Sequence, residues 1–202
     1  MTSHSDEHLI DEHFRDHVHV VSTSFEILRP EILATASVIS HSLSLGRKCI
    51  AFGNGGSATQ ASHLVGELVG RFSKAPRRPL PAIALAADSG VVTCIGNDFG
   101  YDSLFWRQVE ALAQPGDIAI GFTTSGKSEN VLRGLAMAGK KDAVTIALTS
   151  EAGLAQDVAK HVLKVPSTST ACIQEMHLMI LHSWCFLIDA AFTTGNLGGT
   201  EK

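Results

Sequence analysis

What this 202-residue chain lacks narrows its function before any motif is considered. Positive charge is not in excess: 16 Lys and Arg stand against 20 Asp and Glu, for a formal net charge of -4. There is no basic field to neutralise a phosphate backbone, and no nucleic-acid partner is expected. Cysteines are few (Cys49, Cys94, Cys172 and Cys185), lie in apolar surroundings and form no CxxC pair. That usage suits buried, reduced thiols in a cytoplasmic protein and argues against a disulfide framework. Long apolar runs are missing too. The stretch Met176 to Ile188 is interrupted by His177, His182 and Ser183 and falls short of the ~18 residues a spanning helix needs. A buried helix and no membrane partner are the expectation. The first residues are polar and acidic, with Asp6, Glu7, Asp11 and Glu12, so neither a signal nor a transit peptide is expected.

What remains, 45% hydrophobic and 18% charged residues, describes a globular domain with enough apolar material for a sizeable core. From about Asp6 to Leu45, Leu9, Phe14, Val18, Val21, Phe25 and Leu28 recur at helical spacing, and Pro30 marks a break or a new start. This predicts a helical arm in two pieces. From Lys48 onward the short runs CIAFG, AIAL, DIAIGF, AVTIALT and HVLKVP alternate with longer helical patterns. Strands this apolar face water on neither side, so a parallel sheet covered by helices is predicted. A last helix begins near Ser169, and the Pro- and Arg-rich stretch Ser73 to Pro81 reads as a loop between the sheet domain's first helix and second strand.

Two segments have the chemistry of anion sites. The first predicted strand runs into Gly53-Asn54-Gly55-Gly56-Ser57 and then a helix. There glycines let backbone approach an anion, and free N–H groups point at it. The alternative is a self-sufficient capping box, since Ser57-Ala-Thr-Gln60 has the S-x-x-Q form. The third predicted strand enters Thr123-Thr124-Ser125-Gly126-Lys127-Ser128 ahead of another helix, clustering hydroxyls that can donate to a phosphate. Taken from Gly121, the same segment fits the nucleotide-binding P-loop pattern, although no apolar strand ends in the acidic residue that would help hold magnesium.

Side chains for proton transfer lie on two helices. His63 and Glu67, four apart, share one helix face; a solvated ion pair is the plain alternative. On the last helix Gln174 and His182, eight apart, lie within about a quarter turn of each other. His182 sits in an apolar run where an unpaired imidazole is costly, so a satisfied core histidine is its alternative, as for His177. A carboxylate and an imidazole beside a phosphosugar suffice to move protons between C1 and C2 and between their oxygens. The set His63, Glu67, Gln174 and His182 equally offers N and O ligands to a divalent ion such as zinc. On the N-terminal arm, His4, His8, His13, His17 and His19 stand among acidic residues. His13 and His17 have ligand-like spacing, but a solvated face is the expectation, with an adventitious metal site as its alternative.

The segments GNGGSATQASHLVGELVGRF, CIGNDFGYD, TTSGKSENV and TACIQEMHLMILH occur in an order and at spacings that resemble the sugar-isomerase (SIS) domain family, and within it the phosphoheptose isomerases. The likeness runs over roughly residues 10 to 192. It implies an α/β three-layer sandwich with a five-stranded parallel sheet of flavodoxin-like order, an N-terminal helical oligomerisation arm (1–46) and a phosphosugar-binding domain (47–195). It implies a homotetramer with active sites at subunit contacts, and an aldose-ketose isomerisation of D-sedoheptulose 7-phosphate to D-glycero-D-manno-heptose 7-phosphate. The family's base and acid match Glu67 and His182. Its substrate contacts match Asn54, Gly55, Gly56, Ser57, Glu67, Asn97, Asp98, Thr123, Thr124, Ser125, Ser128 and Gln174. A zinc ion reported for some members matches His63, Glu67, Gln174 and His182. The chain departs from the family pattern at Gln60, usually Asp, at Lys127, usually Asn, and at Cys172, often Arg. Non-catalytic relatives that bind the bacterial replication initiator offer a second function, against which the presence of both Glu67 and His182 speaks.

Overall fold

The computed structural model describes residues 4–74 and 76–193. The first three residues of the expected arm, and residues 75, 194 and 195 of the expected domain, lie outside them. In chain order the elements are α1 (His4–Ser44), β1 (Cys49–Gly53), α2 (Gly56–Val69), β2 (Ala82–Ala84), α3 (Ser89–Phe99), a 3-10 turn (Tyr101–Ser103), α4 (Leu104–Leu112), β3 (Ile118–Phe122), α5 (Glu129–Lys140), β4 (Val144–Ser150), β5 (His161–Val165) and α6 (Thr170–Thr193). The strands form one parallel sheet in the order β2-β1-β3-β4-β5.

Alternation along each strand divides the interior into two cores, one between the sheet and each helical layer. Cys49, Ala51, Ile118, Ile120, Phe122, Ile146 and Leu148 belong to one, together with Ile39 and Leu43 of α1, Leu64 and Leu68 of α2, and Ile180, Trp184 and Ile188 of α6. Ile50, Phe52, Ala119 and Ala147 belong to the other, with Phe105 and Val109 of α4 and Val131 and Leu135 of α5. The edge strands are more open than expected, with Ile83 of β2 and Lys164 of β5 exposed, whereas burial of β1, β3 and β4 on both faces explains their continuous apolar runs. Each Leu or Ile so buried contributes roughly 1.5–3 kcal/mol.

The arm is one helix, not two. Pro30 lies inside α1, although it supplies no N–H to the helix ladder and crowds the preceding turn. Burial on both sides of it, at Leu28 before and at Ala36, Ile39 and Leu43 after, keeps the helix continuous through it. Trp184 of α6 reinforces this stretch: its indole N–H donates to Thr35 Oγ1 at 2.9 Å, and Thr35 in turn donates to the Glu31 carbonyl at 2.6 Å. The residues that set the helical spacing in the first half behave differently. Leu9, Phe14, Val18 and Phe25 are 60–66% exposed. Of the arm histidines, His8, His13 and His19 are exposed as expected, whereas His17 is half-buried; the His4 side chain lies outside what is described.

The last helix is the buried one expected, but longer than its apolar run suggests. At 24 residues α6 is long and apolar enough by composition to cross a bilayer, yet Ile173, Ile180, Leu181, Trp184 and Ile188 are packed into the first core. All four cysteines are free thiols; Cys49, Cys172 and Cys185 are buried as expected, whereas Cys94 is exposed. Burial pushes the Cys49 and Cys185 thiols up to about 12, so neither is an available nucleophile.

Candidate active site

The sheet order reverses between β1 and β3, and ligands of such sheets bind outside the carboxyl ends of the strands at that reversal. Gly53 pairs with Phe122 at the ends of these two strands. The chain therefore delivers both expected anion loops, 53–57 after β1 and 123–128 after β3, to the same edge.

The first loop enters α2 with Gly55 as N-cap and no side-chain cap. The alternative reading of this segment, a Ser57–Gln60 capping box, does not form. Ser57 is buried, and the Gln60 amide turns to α6, where its Nε2 donates to the Gln174 carbonyl. A Cβ on Gly56 would stand 2.7 Å from Gln174 Nε2, so glycine here leaves room for the Gln174 amide against the helix start. Asn54 and Asn130 exchange amide hydrogen bonds of 2.8 and 2.9 Å, and the Tyr101 hydroxyl donates to Asn54 Oδ1 at 2.9 Å. This pair locks the first loop to the start of α5.

The second loop closes on itself. Thr123 Oγ1 lies 3.2 Å from Ser128 Oγ and accepts from the Gly126 N–H at 3.2 Å. Ser125 Oγ accepts from the Lys127 N–H at 3.2 Å. Gly126 has φ +66°, and a Cβ there would collide with the Gly153 carbonyl oxygen. Thr124 is half-buried, and Ser125 and Lys127 are exposed. Asn97 and Asp98 lie exposed on α3. Asn97 Nδ2 donates to Asp98 Oδ1 at 2.7 Å, and among the described residues neither is brought into a hydrogen bond with the other expected site residues.

The acid–base candidates meet where α2 runs beside α6. Contacts advance in the same direction on both helices, from Gly56 with Gln174 to His63 with His182, so the two helices run parallel. His63 Nε2 lies 3.0 Å from His182 Nε2 and 3.2 Å from Glu67 Oε1. His182 is thus not a core histidine; it is half-buried, and the Phe72 ring lies over it at 5.6 Å between centroids. His177 takes the core role instead. It is fully buried, and burial holds it down to about 4 against a weak contact with the Thr149 carbonyl.

The donor set suits zinc. Two imidazole nitrogens and a carboxylate oxygen lie within 4.8 Å of one another, the three-ligand arrangement of an ion with an open position. The 3.0 Å between the two Nε2 atoms approaches the roughly 3.3 Å that separates neighbouring ligands around a tetrahedral ion with ~2.0–2.1 Å bonds.

Residues that no motif singles out hold this seam together. Arg77, from the stretch expected to be a plain loop, pairs its Nε with Asp189 Oδ1 at 2.5 Å, both side chains being almost wholly buried. It also donates to the carbonyls of Leu68 at 2.9 Å and Glu67 at 2.6 Å. Burial alone would raise the Asp189 carboxyl, but hydrogen bonds from Ser73 and Arg77 and the Arg77 charge hold it below the ordinary carboxylate range. The available signal was Asp189 itself, a charge in an apolar helix that requires a partner.

Comparison with known proteins agrees with this architecture. Residues 12–150 match the SIS domain family. A phosphoheptose isomerase of Aquifex aeolicus is 48% identical over 177 residues, covering 87% of this chain and 92% of the relative. One from a Nitratiruptor species is 46% identical over 184 residues, covering 91% and 98%. The structure of a phosphoheptose isomerase from Francisella tularensis superposes with a TM-score of 0.87 at 35% identity, covering 94% of this chain and 100% of that one. With the loops at the sheet reversal and the paired helices in place, these relationships establish that the chain belongs to the SIS domain family, among its phosphoheptose isomerases, and is an isomerase.

Proposed function

We propose that the chain converts D-sedoheptulose 7-phosphate to D-glycero-D-manno-heptose 7-phosphate through an enediol(ate), as a cytoplasmic homotetramer. The observation that carries this reading is the meeting of Glu67 and His182 through His63, on a helix seam whose α2 rises from an anion-suited loop. Glu67 takes a proton from C1 of the ketose, exchanges it with solvent and delivers one to C2. His182 serves the oxygens, protonating O2 as O1 gives up its proton, so the reaction moves protons without net gain or loss. Asn54, Gly55, Gly56, Ser57, Thr123, Thr124, Ser125 and Ser128 hold the phosphate and the sugar oxygens through N–H groups and hydroxyls. Asn97, Asp98 and Gln174 complete the substrate contacts. Zinc held by His63, Glu67 and His182 would supply a Lewis acid to the carbonyl oxygen; Gln174, expected as a fourth ligand, has its amide against Gly56 at the other end of the seam and stands apart from these three.

What one chain leaves open supports the association. Glu67 follows Gly56 by eleven positions, which at 1.5 Å per residue is about 16 Å of helix. The acid–base pair and the chain's own first loop therefore stand at opposite ends of the seam, and a partner's surface completes the site. The exposed Leu9, Phe14, Val18 and Phe25 of α1 provide an apolar face for that contact. Product identification from sedoheptulose 7-phosphate, with and without chelator, tests the reading. Formation of the aldose 7-phosphate supports it; no turnover of that ketose removes it.

A further inference from the structure

A second histidine–carboxylate cluster stands near the start of α6, against α1. His13 and His17 occupy one face of α1, with ring centroids 4.2 Å apart. Glu175 of α6 faces them, and one ligand atom from each of the three residues lies within 4.8 Å of the others. His17 Nδ1 stands 2.8 Å from the His13 carbonyl. A carbonyl only accepts, so Nδ1 carries the proton, and in the neutral ring the Nε2 lone pair is left to face outward. That Nε2 is closed off from solvent, and the Glu175 carboxylate is pressed against it. An imidazole nitrogen and a carboxylate oxygen brought together, with a second imidazole beside them, are donors that a divalent ion can share. A ring N–H fixed on a backbone carbonyl with the other nitrogen free is also how metal-bound histidines are oriented. Cys172, buried, closes the inner side with its Sγ 3.6 Å from His17 Nδ1.

We propose that His13, His17 and Glu175 form a second divalent transition-metal site, one that pins the N-terminal part of α1 to the start of α6. Imidazole and carboxylate donors of this kind select first-row ions such as zinc. The role is structural: the ligands come from two helices and none belongs to the acid–base pair. The site stands independently of the isomerase reading.

Zinc uptake by the chelator-stripped full chain tests it, measured by titration calorimetry and by metal analysis after dialysis. His17→Ala and the isosteric Glu175→Gln are each expected to lose one zinc equivalent per chain, or to weaken it by at least about tenfold, while circular dichroism confirms the fold. The double variant His8→Ala/His19→Ala is expected to keep that equivalent, which separates it from casual binding by the other arm histidines. His63→Ala is expected to keep it as well, losing at most the equivalent of the acid–base cluster. Zinc stoichiometry and affinity unchanged in both His17→Ala and Glu175→Gln overturn the proposal, as does a chain whose zinc is lost entirely with His63→Ala.

Discussion

The clusters His63–Glu67–His182 and His13–His17–Glu175 contain the same side-chain types and both use α6, yet their surroundings differ. The first lies on the seam with α2, beneath the Phe72 ring and beside the buried Arg77–Asp189 pair that grips the Glu67 carbonyl. The second lies against the outer half of α1, where His13 and Glu175 are exposed. If the first is the reaction centre and the second a helix tether, as proposed, residue type does not distinguish the two. The supporting shell does, because a catalytic group must be held in place by packing and hydrogen bonds around it.

The largest difference should appear in turnover. Glu67→Gln is expected to lower kcat by about 10²–10⁴-fold, the usual worth of a positioned acid or base, whereas His17→Ala should leave kcat within about threefold in the same assay. Equal losses in the two variants would erase the distinction. Arg77→Ala probes the shell itself. It leaves the buried Asp189 carboxylate without a charge partner, held among the described residues only by Ser73, and should destabilise the fold by about 3–5 kcal/mol in urea denaturation; a change below about 1 kcal/mol would show that the pair does not hold the seam.

His177 lies on α6 between the two clusters in sequence and supplies a pH test. The unfolded chain binds its proton near pH 6.5 and the folded chain only near 4. Below 6.5 the unfolded state gains the proton first, so stability is undiminished at pH 7 and is lost as pH falls through the window from 6.5 to 4. The loss is about 3 kcal/mol, and His177→Phe should flatten that part of the stability profile. The smallest effect concerns the second loop's exposed cation. Lys127→Ala, which removes an exposed charge from a loop held by Thr123, Ser125 and Gly126, should raise KM severalfold, by at most about 1 kcal/mol of binding, with kcat little changed.

The parts of the molecule visible in the sequence are those governed by short periods. The apolar runs from CIAFG to HVLKVP became parallel strands, and two glycine- and hydroxyl-rich segments became loops at one sheet edge, because strand burial and turn chemistry are local. His63 with Glu67 was legible for the same reason, as an i, i+4 pair. What escaped depends on contacts between distant segments. Pro30 reads as a break until the burial of Leu28 and Ile39 on either side is known. Gln60 reads as a cap until α6 brings the Gln174 carbonyl to it. Arg77 reads as loop charge until Asp189, 112 residues away, is seen beside it. Glu175 likewise gave no sign of meeting two histidines of the N-terminal arm, since only the packing of α1 on α6 joins them.

If Glu67 and His182 move the protons of the isomerisation, those protons pass through positions that exchange with solvent. Conversion of sedoheptulose 7-phosphate in deuterium oxide, followed by NMR at C2 of the product, reads this out. The wild-type chain should place deuterium at C2, and Glu67→Gln should abolish turnover and exchange together. A product that retains only protium at C2, or exchange at the wild-type rate in Glu67→Gln, would take the proton transfer away from this pair.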